Sequence, residues 1–241
     1  MMTQHYVSPS ALSEFRRCRR CFWLDRNRKI KKPRGAFPTL PGGIDRILKV
    51  YFDRHRAVGM LPPELVGAVP AGTTLYPDMT RLTGMRDAWK HPTLTMMIGQ
   101  VKLGGGIDDL LVAANGAVSP FDFKTKGAAI SDNADPFEYY RMQLNDYGLL
   151  LQAAKFQLTG AGYLGYWSPM NVAVRTNTRP SNKTGMWMTC QVFSMDLDLE
   201  AARTEIVEAG ACLDGPLPPS ETTCDMCAFI ALRSDSERGD E

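Results

Sequence analysis

No stretch of this chain is apolar for long enough to cross a bilayer, and Met1 to Arg20 lacks the hydrophobic core that directs secretion. No membrane-spanning helix is expected, and a cytoplasmic address is the expectation. No unit repeats and no low-complexity tract interrupts the chain, so solenoids and arrays are excluded as well. An excess of charge of one sign is missing too: 28 Lys and Arg against 26 Asp and Glu leave a net charge of +2. The total therefore says nothing about partners. In a reducing compartment a disulfide framework is also not expected, which leaves the 6 cysteines to be explained otherwise.

What is present fits one globular domain. With 241 residues, 44% of them hydrophobic and 22% charged, the chain can bury a single substantial core. We expect one domain over residues 1–233, and a disordered tail over 234–241. The charge is unevenly placed. Arg16, Arg17, Arg19, Arg20, Arg26, Arg28, Lys29, Lys31, Lys32 and Arg34 crowd one segment against only Glu14 and Asp25. Such a cluster suits phosphate contacts, or else forms a solvated helix face.

The chemistry concentrates between Gly104 and Lys126. Ile107, Leu110, Leu111 and Val112 make an apolar strand, Asn115-Gly116 is a hairpin turn signal, and Val118 to Lys124 alternates as a second strand. The period of two puts Asp122 and Lys124 on one face and Phe121 and Phe123 on the other. Asp108, at the head of the first strand, then meets Asp122 and Lys124 across the ladder. Two carboxylates and an ammonium converging there are costly for structure alone and natural for holding a divalent cation.

Gly-x-Ile-Asp108 followed by Asp122-Phe-Lys124-Thr resembles the core of the PD-(D/E)XK nuclease superfamily, in its RecB-like branch. The resemblance implies an α/β, restriction-endonuclease-like fold, with a mixed central sheet flanked by helices. It implies that Asp108, Asp122 and the main-chain carbonyl of Phe123 bind Mg²⁺ or Mn²⁺, and that Lys124 assists the attacking water. Relatives place a histidine ligand on a helix near residues 42–56; here Asp45 stands in that place, and a carboxylate suits a hard cation. The branch also carries a Gln-x-x-x-Tyr helix after its Asp-x-Lys strand, found here as Gln143 and Tyr147. These two are four apart and share a helical face. The implied partner is DNA, with Arg16, Arg19 and Arg20 along the backbone path. The implied activity is a DNA nuclease, an exonuclease by expectation, in DNA processing, repair or CRISPR adaptation alongside other proteins of those pathways. A catalytically inactive nucleic-acid-binding module and a structural metalloprotein subunit are the alternatives from other classes.

Around this core the local signals are ordinary. Ser8 caps a helix that starts at Pro9 and presents Leu12, Phe15, Phe22 and Trp23 on one face. Ser8 to Leu24 also resembles the opening of the RecB-like family. Helices are expected over 42–56, 80–93, 136–158 and 198–213, and strands over 160–167 and 186–195. The polar loop between those strands holds Arg175, Arg179 and Lys183.

Four cysteines fall in two Cys-x-x-Cys pairs, Cys18 with Cys21 and Cys224 with Cys227, a spacing that lets two thiolates grip one metal centre. Cys190 and Cys212 stand alone and read as small core residues. Together residues 8–35 and 212–233 would form a metal cap joining the two ends of the domain. Two symmetric pairs fit tetrahedral Zn²⁺. The resemblance implies a [4Fe–4S] cluster instead, although relatives supply one cysteine from the N-terminal side and three from the C-terminal side.

Overall fold

The computed structural model describes residues 4–33, 39–87, 93–128, 130, 137–170 and 187–239. Its first elements are β1 (His5–Val7), α1 (Pro9–Arg17), α2 (Arg19–Arg28), α3 (Thr39–Ala57) and a 3₁₀ turn over Pro63–Leu65. β2 (Thr74–Leu75), α4 (Met79–Arg86), β3 (Leu94–Ile98), β4 (Val101–Gly105), β5 (Asp109–Val112) and β6 (Val118–Thr125) follow. The chain continues through α5 (Phe137–Ala153), β7 (Ala161–Pro169), β8 (Met188–Asp196), α6 (Leu199–Asp214) and α7 (Asp225–Gly239). No helix among the described residues is long and apolar enough to cross a membrane.

Helix boundaries follow local chemistry. The Ser8 hydroxyl accepts from the Ala11 N–H at 3.3 Å, and Pro9 opens α1 with no N–H to satisfy. Asp78 and Asp198 cap α4 and α6 in the same way, each accepting a backbone N–H at 2.9 Å. α2 stops at Lys29, which takes the left-handed conformation with φ 59°.

The architecture is mixed α/β, built on two sheets. The larger has the order β2-β5-β6-β7-β8, with β6 and β7 parallel and the other neighbours antiparallel. The smaller has the order β1-β4-β3, with β1 and β4 parallel. The expected hairpin is present: Ala113 N–H donates to the Ala117 carbonyl at 2.8 Å, and Gly116 sits at φ 82°. The glycines that open that stretch belong elsewhere. Gly104 and Gly105 end β4 in the smaller sheet, and a Cβ on Gly104 would lie 2.8 Å from the Tyr6 ring. The chain thus crosses between sheets over Gly106–Asp108, and Asp108 stands at the crossing rather than inside a strand.

Each face of the larger sheet has its own core. On one side Phe121 and Phe123 pack on α3 through Phe52, with ring centroids 5.4 and 4.7 Å apart. Removing such a ring typically costs about 3–5 kcal/mol. On the other side α5 lies against strands of both sheets and buries Leu144, Leu149, Leu150 and Leu151. α5 is therefore the wedge on which the two sheets meet.

Several boundaries differ from expectation. α5 ends at Ala153 rather than near Leu158, because Lys155 turns the chain at φ 67° and Leu158 bridges to Val118. The basic opening is two helices, broken at Cys18. α7 is helical through Gly239, past Ser234, where a disordered tail was expected. Arg34, Trp89, Pro136 and the loop carrying Arg175, Arg179 and Lys183 lie outside the described residues.

Candidate active site and cysteine cage

β6 positions the centre of the site. Its register against β5 pairs Asp109 with Phe121, so Asp108, one residue earlier, comes opposite Asp122. Asp108 Oδ2 accepts the Phe123 N–H at 3.0 Å. Asp122 is buried, and its Oδ2 pairs with the Lys124 ammonium. The alternation read from the sequence therefore holds: the two phenylalanines face α3, and the acid and lysine face α5.

α5 closes the opposite wall. Gln143 Nε2 and the Tyr147 hydroxyl each donate to Asp122 Oδ1 at 3.4 Å, and the amide also donates to the Tyr147 oxygen. One turn earlier, Tyr140 places its ring 5.0 Å from Lys124 Nζ. Tyr140, Gln143 and Tyr147 form one face at spacings of three and four. Tyr140 is a residue the sequence did not single out for the site, although its helical phase with Gln143 carried the signal.

α3 supplies the third wall and a residue that was missed. Lys49 Nζ lies 2.9 Å from Asp45 Oδ2 and 2.9 Å from Asp108 Oδ1. Asp45 thus reaches the site through an ammonium shared with Asp108. The i, i+4 spacing of Asp45 and Lys49 was visible, but nothing local tied that pair to residue 108.

Beneath the site runs a charged network that the sequence did not announce. Arg56 and Arg86 both pair with Asp53 and with the fully buried Asp109. Arg86 also donates to the Asp108 carbonyl at 2.8 Å. The network fixes the backbone from which Asp108 projects. Loss of one partner would leave buried charge unpaired, typically costing about 3–5 kcal/mol.

The electrostatics follow from crowding. Burial pushes Asp122 up to about 7, with the nearby Asp108 raising it further and Lys124 acting against the rise. Burial alone would lower Lys124, yet Asp122 and then Asp108 hold it above its ordinary value. Lys49 behaves alike, burial opposing and Asp108 and Asp45 raising. Both lysines are therefore ammonium ions at neutral pH. Tyr147 is raised well above its usual value, by burial and then by Asp122 and Asp108, so it remains a donor. The clustered carboxylate oxygens of Asp45, Asp108 and Asp122 are the hard donors a small divalent cation requires.

The second centre lies at the chain ends. Cys18 separates α1 from α2, Cys21 lies in the first turn of α2, and Cys224 and Cys227 hold the matching places at the start of α7. All four are buried, and their sulfurs lie within 4.8 Å of one another. Burial raises Cys18 to about 11. It also works to raise Cys224, but N–H donation from Cys227 and the thiols of Cys18 and Cys21 bring that group down to about 7. Cys190 and Cys212 stand apart, half-buried.

The arginines expected on the DNA path are largely engaged within the protein. Arg16 pairs with Glu205 at 2.6 Å and donates to Ser13 at 2.9 Å. Arg19 pairs with Glu208 at 3.0 Å, and Arg20 donates to the Pro218 carbonyl at 2.8 Å. These contacts tie α1 and α2 to α6 and to the segment before α7. Among the described residues, Arg17, Arg28, Lys29 and Lys31 are the other exposed cations of the segment.

A model of the PD-(D/E)XK nuclease superfamily matches residues 44–232, which include Asp45, Asp108, Asp122, Lys124, Gln143, Tyr147, Cys224 and Cys227. Among curated protein sequences none matches the chain. A solved structure, "Crystal structure of SSO0001", aligns over 89% of this chain and 79% of its own, with a TM-score of 0.43 and 16% identity. That degree of likeness adds nothing to the fold described above.

Proposed function

The chain belongs to the PD-(D/E)XK nuclease superfamily, whose members use divalent metals, and from that premise we propose that it is a metal-dependent deoxyribonuclease of the RecB-like branch. One observation carries the reading. Asp108, Asp122 and Lys124 converge at one point, and Gln143 and Tyr147 of the following helix both donate to Asp122. A Gln-x-x-x-Tyr helix that served only packing would have no reason to aim both polar tips at the buried acid.

Asp108 and Asp122 would hold Mg²⁺ or Mn²⁺, with the Phe123 carbonyl and Asp45 as further oxygens. Such an ion supplies Lewis acidity toward the scissile phosphate and the attacking water. The side chains do the rest. Lys124 is kept charged, so it acts by stabilising negative charge and orienting water; a general base would have to be neutral. Gln143 and Tyr147 fix the direction of Asp122, and the ring of Tyr140 restrains Lys124. Arg17, Arg28, Lys29 and Lys31 offer an exposed basic surface for a phosphate backbone, a contact that positions DNA without reading its sequence. The four-cysteine centre keeps this basic segment beside α6 and α7, whether it holds the [4Fe–4S] cluster of the resemblance or Zn²⁺. A reducing, cytoplasmic setting would keep these thiols available to a metal. Exonucleolytic cutting in DNA processing, repair or CRISPR adaptation is the role most in keeping with the RecB-like resemblance.

The test is cleavage of end-labelled and circular DNA, single- and double-stranded, with and without Mn²⁺, alongside a structured RNA. Wild type should cut DNA only with the ion present, and linear DNA faster than circles. Lys124→Ala should lower the rate by roughly 10²–10³-fold while binding DNA unchanged. DNA binding with no cleavage of any substrate in Mn²⁺ would overturn the enzyme and leave a binding module.

A further inference from the structure

The two cysteine pairs make one cage, and its size is informative. Cys18 Sγ lies 3.7 Å from Cys227 Sγ, and Cys21 Sγ lies 3.8 Å from Cys224 Sγ. These distances are far beyond a disulfide bond of about 2.05 Å. No two of the four sulfurs are more than 4.8 Å apart. A regular tetrahedron with edges of about 3.8 Å has corners about 2.3 Å from its centre, which is the Zn–S bond length. A four-iron cube demands far more room. Its thiolates bond to irons at the corners of a core already a few ångströms across, which spreads their sulfurs to about 6 Å or more.

We propose that Cys18, Cys21, Cys224 and Cys227 hold a single tetrahedral Zn²⁺, not an iron–sulfur cluster. The surroundings agree with the cage. Each pair sits at the start of a helix, Cys18 and Cys21 at α2 and Cys224 and Cys227 at α7, so two helix N-termini point their positive ends at the four thiolates. The Cys21 N–H lies 3.4 Å from Cys18 Sγ, a backbone contact that fixes the first sulfur. The halves are alike, two sulfurs from each helix start, and the site is closed because all four donors are buried. Four protein ligands in a closed shell are the pattern of a structural ion rather than a catalytic one. Cys212 does not belong to the cage; its sulfur faces the Arg19 carbonyl at 4.0 Å. A centre of this kind has no accessible redox state, so it serves as a permanent clasp between the two ends of the domain. The assignment stands on the sulfur geometry and is independent of the nuclease activity.

Full-length protein should be purified without oxygen from cells supplied with iron, sulfide source and zinc together, and analysed for metals and acid-labile sulfide. The expected result is about one zinc per chain, no labile sulfide, no visible colour and no spectral change on adding dithionite. Protein from cobalt-fed cells should show the intense visible bands of tetrahedral thiolate Co²⁺, present in Cys212→Ser and lost in Cys224→Ser. Brown protein with about four irons and four sulfides per chain would overturn the proposal, as would one iron without sulfide, or no metal at all. Because wild type and Cys212→Ser already decide the question, a Cys224→Ser variant that fails to fold leaves the test intact.

Discussion

Lowering the pH from about 7.5 to about 5.5 should weaken Mn²⁺ binding at the Asp108–Asp122 site by about 25-fold, because the ion must displace the proton that Asp122 retains up to about 7. With that value, Asp122 is roughly three-quarters ionised at the upper pH and about 3% ionised at the lower. The ratio of those fractions is the expected loss of affinity, worth about 2 kcal/mol of ion-dependent stabilisation at a fixed ion concentration well above the dissociation constant at both pH values. The metal-free protein should show the opposite sign. The folded chain holds this proton more tightly than the unfolded chain, whose value is near 3.8. The contribution of Asp122 to stability is therefore fully present below about pH 4 and is lost as pH rises through about 7. Mn²⁺ should then raise the melting temperature most at the pH where the empty site is least comfortable. Calorimetric titration in two buffers of different ionisation enthalpy reads the same event directly, with close to one proton released per ion near pH 6. Affinity that is flat between these pH values, with no proton released, would refute the reasoning. So would affinity that weakens as pH rises. Asp122→Asn should abolish both the pH slope and most of the binding.

Three further outcomes follow from the ion pairs and exposed cations described above. Lys49→Ala should tighten Mn²⁺ binding about five-fold, since its ammonium competes for Asp108 and a partly exposed pair of this kind is worth about 1 kcal/mol; weaker binding in a calorimetric titration would mean that Lys49 instead holds the carboxylates in place. Arg16→Glu should destabilise the fold by on the order of 2 kcal/mol by setting two acids against each other at Glu205, a change that a denaturant titration reads. Reversing Arg17, Arg28, Lys29 and Lys31 together should leave the melting temperature nearly unchanged and weaken binding to all DNA sequences alike. The log–log salt slope should fall by roughly 0.7–0.9 for every phosphate these side chains neutralise, and an unchanged slope would refute the assigned backbone path.

What the sequence disclosed, and what it withheld, divides by the range of the interaction. Asp122, Lys124, Phe121 and Phe123 were legible because a strand sorts neighbours onto faces with period two, whatever the rest of the chain does. Gln143 and Tyr147 were legible through helical phase, and the paired cysteines through a spacing that two thiolates need to share one centre. Lys49 was not. Its partner Asp108 is 59 residues away, since 108 − 49 = 59, and no periodicity links them. The network of Asp53, Arg56, Arg86 and Asp109 was hidden for the same reason, with Arg56 and Asp109 separated by 53 residues. The intramolecular partners of the arginines near Cys18 were hidden in a different way. A run of positive charge looks alike whether it faces solvent or a partner helix, and only the packing of α6 brings Glu205 and Glu208 to meet it. Gly104 and Gly105 read as part of the central hairpin because adjacency in sequence gave no hint of a change of sheet.

The distance along the chain between the two halves of the cysteine cage also sets a timetable. Cys18 and Cys227 are 209 residues apart. At the usual pace of about 5–20 residues per second, a ribosome that has released the first pair needs roughly 10–40 s before the second emerges. Throughout that interval Cys18 and Cys21 are open thiols on a nascent chain, available to any passing metal or oxidant. α1 and α2 meanwhile lack α6, the helix whose acids neutralise their arginines. The beginning of this protein is thus finished last, and a translation pause late in the message would prolong the exposure of its earliest residues.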